Sequence, residues 1–162
     1  MAKKRVEKGV PGMELLVCRN PMAANRYDIE DRIEAGMVLY GTEVKSLRAR
    51  RANLEGAYCR IDREELYLYS MHIAPYDQAG HSGHETQRRR KLLIHKHEIE
   101  RLRGRLTTRG YALVPLQVYF KNGVAKVQLG LGRGKKKGDD RDSIRKQEDL
   151  KEARAAMQRR KG

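Results

Sequence analysis

The stretch Gly110–Leu131, GYALVPLQVYFKNGVAKVQLGL, holds two runs of alternating apolar residues on either side of a short polar interruption. Ala112, Val114, Leu116, Val118 and Phe120 recur with period two, the spacing that places side chains on one face of a strand. Asn122-Gly123 follows, a pair that tolerates the positive φ angles of a type I′ turn. Ala125, Val127, Leu129 and Leu131 then line the returning strand. The stretch predicts a β-hairpin.

The same period appears outward from it. Tyr27, Ile29 and Ile33 alternate, with Asp31 as the exception, and AGMVLY (35–40) follows, predicting a half-buried strand with Gly36 as a candidate bulge. In AYCRIDREELYLYS (57–70), Ala57, Cys59 and Ile61, then Leu66 and Leu68, flank the polar DREE and predict a second hairpin. Two helices fit between the strands. TEVKSLRARRA (42–52) starts at a candidate cap, Thr42, and turns Val44, Leu47 and Ala52 inward. LLIHKHEIERLRGRL (92–106) spaces Leu92, Ile99, Leu102 and Leu106 helically, weakened near its end by Gly104. The fold class is therefore mainly β with short α-helices. Because closure removes sheet edges, an OB-like closed β-barrel leads, with an open α+β sandwich as the alternative.

The chain has 162 residues, enough for one core, and a net charge of +15 from 36 Lys+Arg against 21 Asp+Glu. Such an excess favours a polyanionic partner, nucleic acid above all. Its placement is informative. Residues 1–12 carry +3, 88–109 carry +7 and 133–162 carry +6, which leaves a nearly neutral body. We expect a flexible basic N-terminal segment (1–12), an RNA-binding barrel (13–132) and a basic C-terminal tail (133–162). No stretch approaches the roughly 20 apolar residues of a membrane span, and MAKKRVEKGVPG lacks the apolar region of a secretory signal, so a soluble, cytoplasmic protein is expected. In that compartment Cys18 and Cys59 read as buried free thiols.

The loop YDQAGHSGHETQRRR (76–90) has no apolar period and ends in RRRK, which sets Arg90 and Lys91 beside the barrel as candidate RNA contacts. GLGRGKKKG (130–138) lacks the spacing and the Ser or Thr of a phosphate loop and reads as a flexible basic linker. His81, His84, His95 and His97 have no CxxC or carboxylate partner at metal-site spacing and read as surface histidines. No catalytic elbow or carboxylate pair appears, so no catalytic residue, metal ligand or cofactor is expected. Tyr58, Tyr67, Tyr69, Tyr111 and Tyr119 lie on the opposite parity from their strands' core residues; they either form a second small core or stack unpaired bases. From Asp139 to Lys161 the tail has no Gly or Pro and favours helix, yet offers too few apolar residues for a core-facing stripe. Such a segment orders on a partner, and phosphate contacts can offset the cost.

EAGMVLYGTEVKSLRARRANL (34–54), RRRKLLIHKHEI (88–99) and GYALVPLQVYFKNGVAKVQLGLGRGKKKGDDR (110–141) together resemble the SsrA-binding protein family, also called small protein B. The resemblance runs in matching order from Asn20 to the tail. It implies an OB-fold protein without enzymatic activity that binds the tRNA-like portion of transfer-messenger RNA. It also implies that the protein, a monomer, accompanies this RNA into stalled ribosomes for trans-translation. Carried over by motif, Asn20, Glu34 and Leu93 would contact RNA, joined by Lys45 and Arg48 at phosphates. From residue patterns alone, Glu34 reads as a solvent residue and Leu93 as core. The tail would become helical in the empty messenger channel beyond the decoding centre, through Lys135, Lys136, Asp139, Arg141, Ile144 and Arg145. Two departures stand out: Gly138 and Asp140 replace a usual Tyr or His and a usual Lys, and Asn25 stands where His is frequent. The alternative is a structural protein that coats ribosomal RNA permanently.

Overall fold

The computed structural model describes residues 10–76, 83–135 and 151–155. Along the chain it forms β1 (Met13–Arg19), α1 (Ala23–Arg26), β2 (Tyr27–Met37), α2 (Gly41–Arg48), β3 (Ala52–Asn53), β4 (Tyr58–Asp62), β5 (Glu65–Tyr69), β6 (His72–Ile73), β7 (Arg90–Leu93), α3 (Lys96–Leu106), β8 (Tyr111–Lys121) and β9 (Val124–Gly134). Seven strands make one antiparallel sheet in the order β1-β8-β9-β2-β7-β5-β4, and β3 pairs with β6 separately. The protein is mainly β with short helices, as expected.

The hairpin forms as read. Lys121 pairs with Val124 across Asn122 and Gly123, whose φ angles of 51° and 74° are the two positive values a type I′ turn needs. The inward face changes along β8, however. A register shift between Pro115 and Gln117 inserts one extra residue, so Leu113 faces the core before it and Val118 and Phe120 after it. Ala112 and Leu116 are therefore only half-buried, contrary to the uninterrupted period. β9 has no such shift, and Ala125, Val127, Leu129 and Leu131 are all core residues.

The second hairpin also forms, β4 to β5, over Arg63-Glu64 at φ 48° and 67°. In β2 the bulge lies between Ile29 and Asp31, not at Gly36, which explains why Asp31 breaks the period. Helix α2 ends at Arg48, earlier than its propensity allows, and Ala52 belongs to β3. Its N-cap is Tyr40 rather than Thr42, with the Tyr40 amide donating to Glu43 Oε1 at 2.8 Å. Leu92 lies on strand β7, while Ile99 and Leu102 bury the inner face of α3. Nor is 130–134 a linker: β9 runs to Gly134, and a Cβ on Gly132 would meet the Asp28 carbonyl oxygen at 2.3 Å. Glycine there lets β2 and β9 approach.

The closed barrel is not formed. Among the described residues no ladder joins β1 to β4, so the sheet stays open. The first half of β8 lies beside β4 without pairing to it, and α3 packs against β8 at the same place. One core fills the inside of the curled sheet, with Leu47, Leu54, Leu66, Leu68, Met71 and Ile73 inaccessible to solvent. Cys59 is buried and Cys18 half-buried, both as free thiols.

Candidate nucleic-acid interface

Three strands present one row of side chains on the outer face of the sheet. Gly36 on β2 pairs with Leu93 on β7 and with Lys126 on β9. Lacking a side chain, Gly36 leaves its surface to those neighbours: its Cβ position lies 3.4 Å from Leu93 Cβ and 3.7 Å from Lys126 Nζ. Leu93, the last residue of β7, is 53% exposed although it follows the buried Leu92, so it is not the core residue its apolar character predicts. The exposed half of this leucine is free to be covered by a partner.

Glu34, two residues along β2, is held from beneath. The Tyr119 hydroxyl donates to its Oε2 at 2.5 Å and Lys121 Nζ lies 3.4 Å from Oε1. Burial and the Glu34 carboxylate together push the Tyr119 phenol well above its ordinary range, so the tyrosine stays a neutral donor. A carboxylate positioned this way accepts hydrogen bonds from base or ribose donors at a fixed point. Tyr119 is thus a buried support. Lys91 projects from the same face of β7 as Leu93 and pairs with Glu65 at 3.0 Å.

The other expected residues lie elsewhere. Asn20 closes β1: its amide nitrogen donates to the Pro115 carbonyl at 3.0 Å, and its Oδ1 accepts the Met22 amide at 3.2 Å. Lys45 and Arg48 are exposed on α2, Lys45 over the Tyr76 ring and Arg48 over Phe120. Lys135 donates to the Ala24 carbonyl at 3.1 Å. Lys136, Asp139, Arg141, Ile144 and Arg145 lie outside the described residues, as does His81, while 151–155 is helical.

Arg90 is not a surface contact. It is inaccessible to solvent, with Nε donating to Glu43 Oε2 at 2.5 Å and Nη1 to the Met71 carbonyl at 2.8 Å. Arg88 binds the other oxygen of Glu43. Burial alone would raise the Glu43 carboxyl, but hydrogen bonds from Arg88, the Tyr40 amide and Arg90 outweigh it and hold the group below the usual carboxylate range. This pair ties the segment 85–89 to α2. His84 adds a second tie, its Nε2 donating to the Ile73 carbonyl at 3.0 Å and its Nδ1 accepting the Thr42 hydroxyl at 2.9 Å, so it is not a free surface histidine.

The +7 zone is consequently quieter than its charge implies. Arg88, Arg89, Arg90, Lys91, Arg101 and Arg105 all pair with carboxylates of the body. No sequence period marks which cations are internally paired; contacts far apart in the chain decide it. Lys126 was missed for a similar reason, since only strand register brings it beside Leu93.

The SmpB protein family model matches residues 17–159. An SsrA-binding protein of Desulforudis audaxviator is 54% identical over 144 residues, covering 88% of this chain and 94% of its own. That of Geobacter metallireducens is 48% identical over 147 residues, covering 91% and 96%. A solved chain described by the words "tmRNA-SmpB: a journey to the center of the bacterial ribosome" is 47% identical, with a TM-score of 0.63 over 76% of this chain and 85% of that one. With matches that run from β1 into the basic tail, the chain belongs to the SmpB protein family.

Proposed function

We propose that this protein binds the tRNA-like portion of transfer-messenger RNA and carries it to stalled ribosomes for trans-translation. The observation that carries the reading is the row Glu34–Leu93–Lys126: a fixed acceptor, an exposed apolar side chain and a cation on one rigid sheet face. Covering the exposed half of Leu93 contributes roughly 1 kcal/mol. Glu34 reads donors that a phosphate backbone does not have, and Lys126 answers the phosphates. The relatives named as SsrA-binding proteins, and the solved tmRNA-SmpB chain, support this choice of RNA.

Lys91, Lys45 and Arg48 supply further phosphate contacts, and Asn20 acts by holding the end of β1 to β8. The RNA-binding unit, expected over 13–132, extends with β9 to Gly134 and acts as a monomer in the cytoplasm. The tail beyond β9, with Lys135, Lys136, Asp139, Arg141, Ile144 and Arg145, follows the empty messenger channel and becomes helical along it. The good helix propensity of 139–161 and the +6 charge of 133–162 support that role. A gel-shift competition tests the reading: transfer-messenger RNA should remain bound at moderate salt under an excess of bulk tRNA. Equal competition by tRNA or ribosomal RNA fragments would instead favour a general RNA-coating protein.

A further inference from the structure

The sheet fails to close at one seam, and that seam is a cleft of about 480 Å³, within the roughly 300 to 1,000 Å³ of small-ligand sites. β4 forms one wall, the first half of β8 the other, and Arg103 and Leu106 of α3 the end. On the seam side, neither Tyr58–Ile61 nor Tyr111–Val114 has a strand partner among the described residues, so two strand edges face the space. Leu113 and Leu106 make an apolar floor. Arg60 and Arg103 stand at the cleft, exposed and without an ion pair among the described residues, and the lining includes no carboxylate. Their freedom contrasts with the paired arginines of the 88–91 run.

The aromatic arrangement adds direction. Tyr58 stacks on Tyr69 with centroids 5.3 Å apart and planes 7° from parallel, and Tyr67 continues the group at 6.4 Å from Tyr69. Tyr69 occupies one face of the Tyr58 ring, and Tyr58 is still 41% exposed. A planar group entering the cleft would lengthen a stack that is already ordered. Tyr111, by contrast, already carries Arg105 and Arg133 over its ring at 5.2 and 5.1 Å and donates its hydroxyl to Glu30, which also pairs with Arg105, so both faces of that ring are taken and its local charge is largely balanced.

The geometry points to a second RNA subsite in the β4–β8 seam, where one unpaired nucleotide places its base against Tyr58 and its phosphate between Arg60 and Arg103. The subsite rests on the RNA-binding reading above but uses neither Leu93 nor Glu34. Flat, apolar and anionic parts in one ligand describe a nucleotide better than a free anion or an apolar molecule. Open backbone edges beside the base provide donors and acceptors for its rim.

The test is an NMR titration of the full chain with hexaadenylate, hexauridylate and inorganic phosphate, alongside a gel shift with transfer-messenger RNA. Both oligonucleotides should shift amides in Tyr58–Ile61 and Tyr111–Val114, hexaadenylate binding more tightly because purines stack better, and phosphate should not reproduce the pattern. Arg60→Gln with Arg103→Gln should weaken hexaadenylate about tenfold while leaving the transfer-messenger RNA shift in place. Tyr58→Leu should erase the preference for adenylate. Unshifted cleft amides in a chain that does retain transfer-messenger RNA, or equal shifts with phosphate alone, would overturn the subsite. Cleft shifts in a chain that fails to retain that RNA would sustain the subsite and overturn the proposed RNA partner instead.

Discussion

Glu43 shows how much a single side chain can hold in this protein. It is inaccessible to solvent and receives Arg90, Arg88 and the Tyr40 amide, so α2, β7 and the 85–89 segment all meet at one carboxylate. Removing its charge leaves Arg90 buried and unpaired, and Glu43→Gln should cost about 3 to 5 kcal/mol in urea unfolding. Glu43→Met with Arg90→Met should recover most of that loss, because a buried pair returns little beyond its own desolvation. The sign of the pH dependence follows from the lowered carboxyl: its contribution is complete above the ordinary value of 4.5 and disappears as pH falls through the lower native value. Acid unfolding should therefore begin below the ordinary range, and Glu43→Gln should flatten that acid limb. The cysteines make a second prediction at this scale. Burial pushes the Cys18 thiol up to about 11 and the Cys59 thiol further, so native protein at pH 8 should react slowly with a disulfide reagent, and both thiols should react fully in denaturant.

At the level of elements, legibility followed locality. The β8–β9 and β4–β5 hairpins could be read because turn chemistry and period two are contained within about 20 residues. The bulge near Leu116 could not, because one extra residue reverses which parity faces the core while leaving the composition unchanged. Leu92 fits a helical and a strand period equally, and pairing with Leu66 and Met37 settles it as strand. Gly130, Gly132 and Gly134 resemble a linker by composition, but they belong to β9, and the first two permit close packing on β2. Two glycine substitutions should accordingly have opposite signs in thermal unfolding. Gly132→Ala drives a methyl into the Asp28 carbonyl and should cost about 1 to 3 kcal/mol. Gly104→Ala, in α3 with nothing within 4 Å of its Cβ position, should stabilise by about 0.5 to 1 kcal/mol.

Across the whole molecule, charge and chemistry are divided. A body close to neutrality pairs off much of its central basic zone, leaving cations at the sheet face, on α2 and along the seam, while 133–162 carries +6. The overall charge identified the class of partner, but residue patterns placed Leu93 in the core and Glu34 in solvent. Exposure of Leu93 depends on Gly36 and Lys126 across two strand pairings, and the fixed position of Glu34 depends on Tyr119, 85 residues away. Arg90 was over-read because a run of arginines does not disclose which of them a buried carboxylate will claim. Deleting 136–162, which spares all of β9, should leave binding of free transfer-messenger RNA largely intact while ending rescue in a reconstituted stalled-ribosome assay; equal loss in both would remove the division between body and tail. The row Glu34–Leu93–Lys126 is tested most directly by a gel shift of Leu93→Asp beside the unaltered chain, with circular dichroism confirming that the exposed substitution leaves the fold unchanged. The unaltered chain should retain transfer-messenger RNA under excess bulk tRNA and Leu93→Asp should lose this preference; an unchanged preference in the variant would contradict a role for the row in RNA binding.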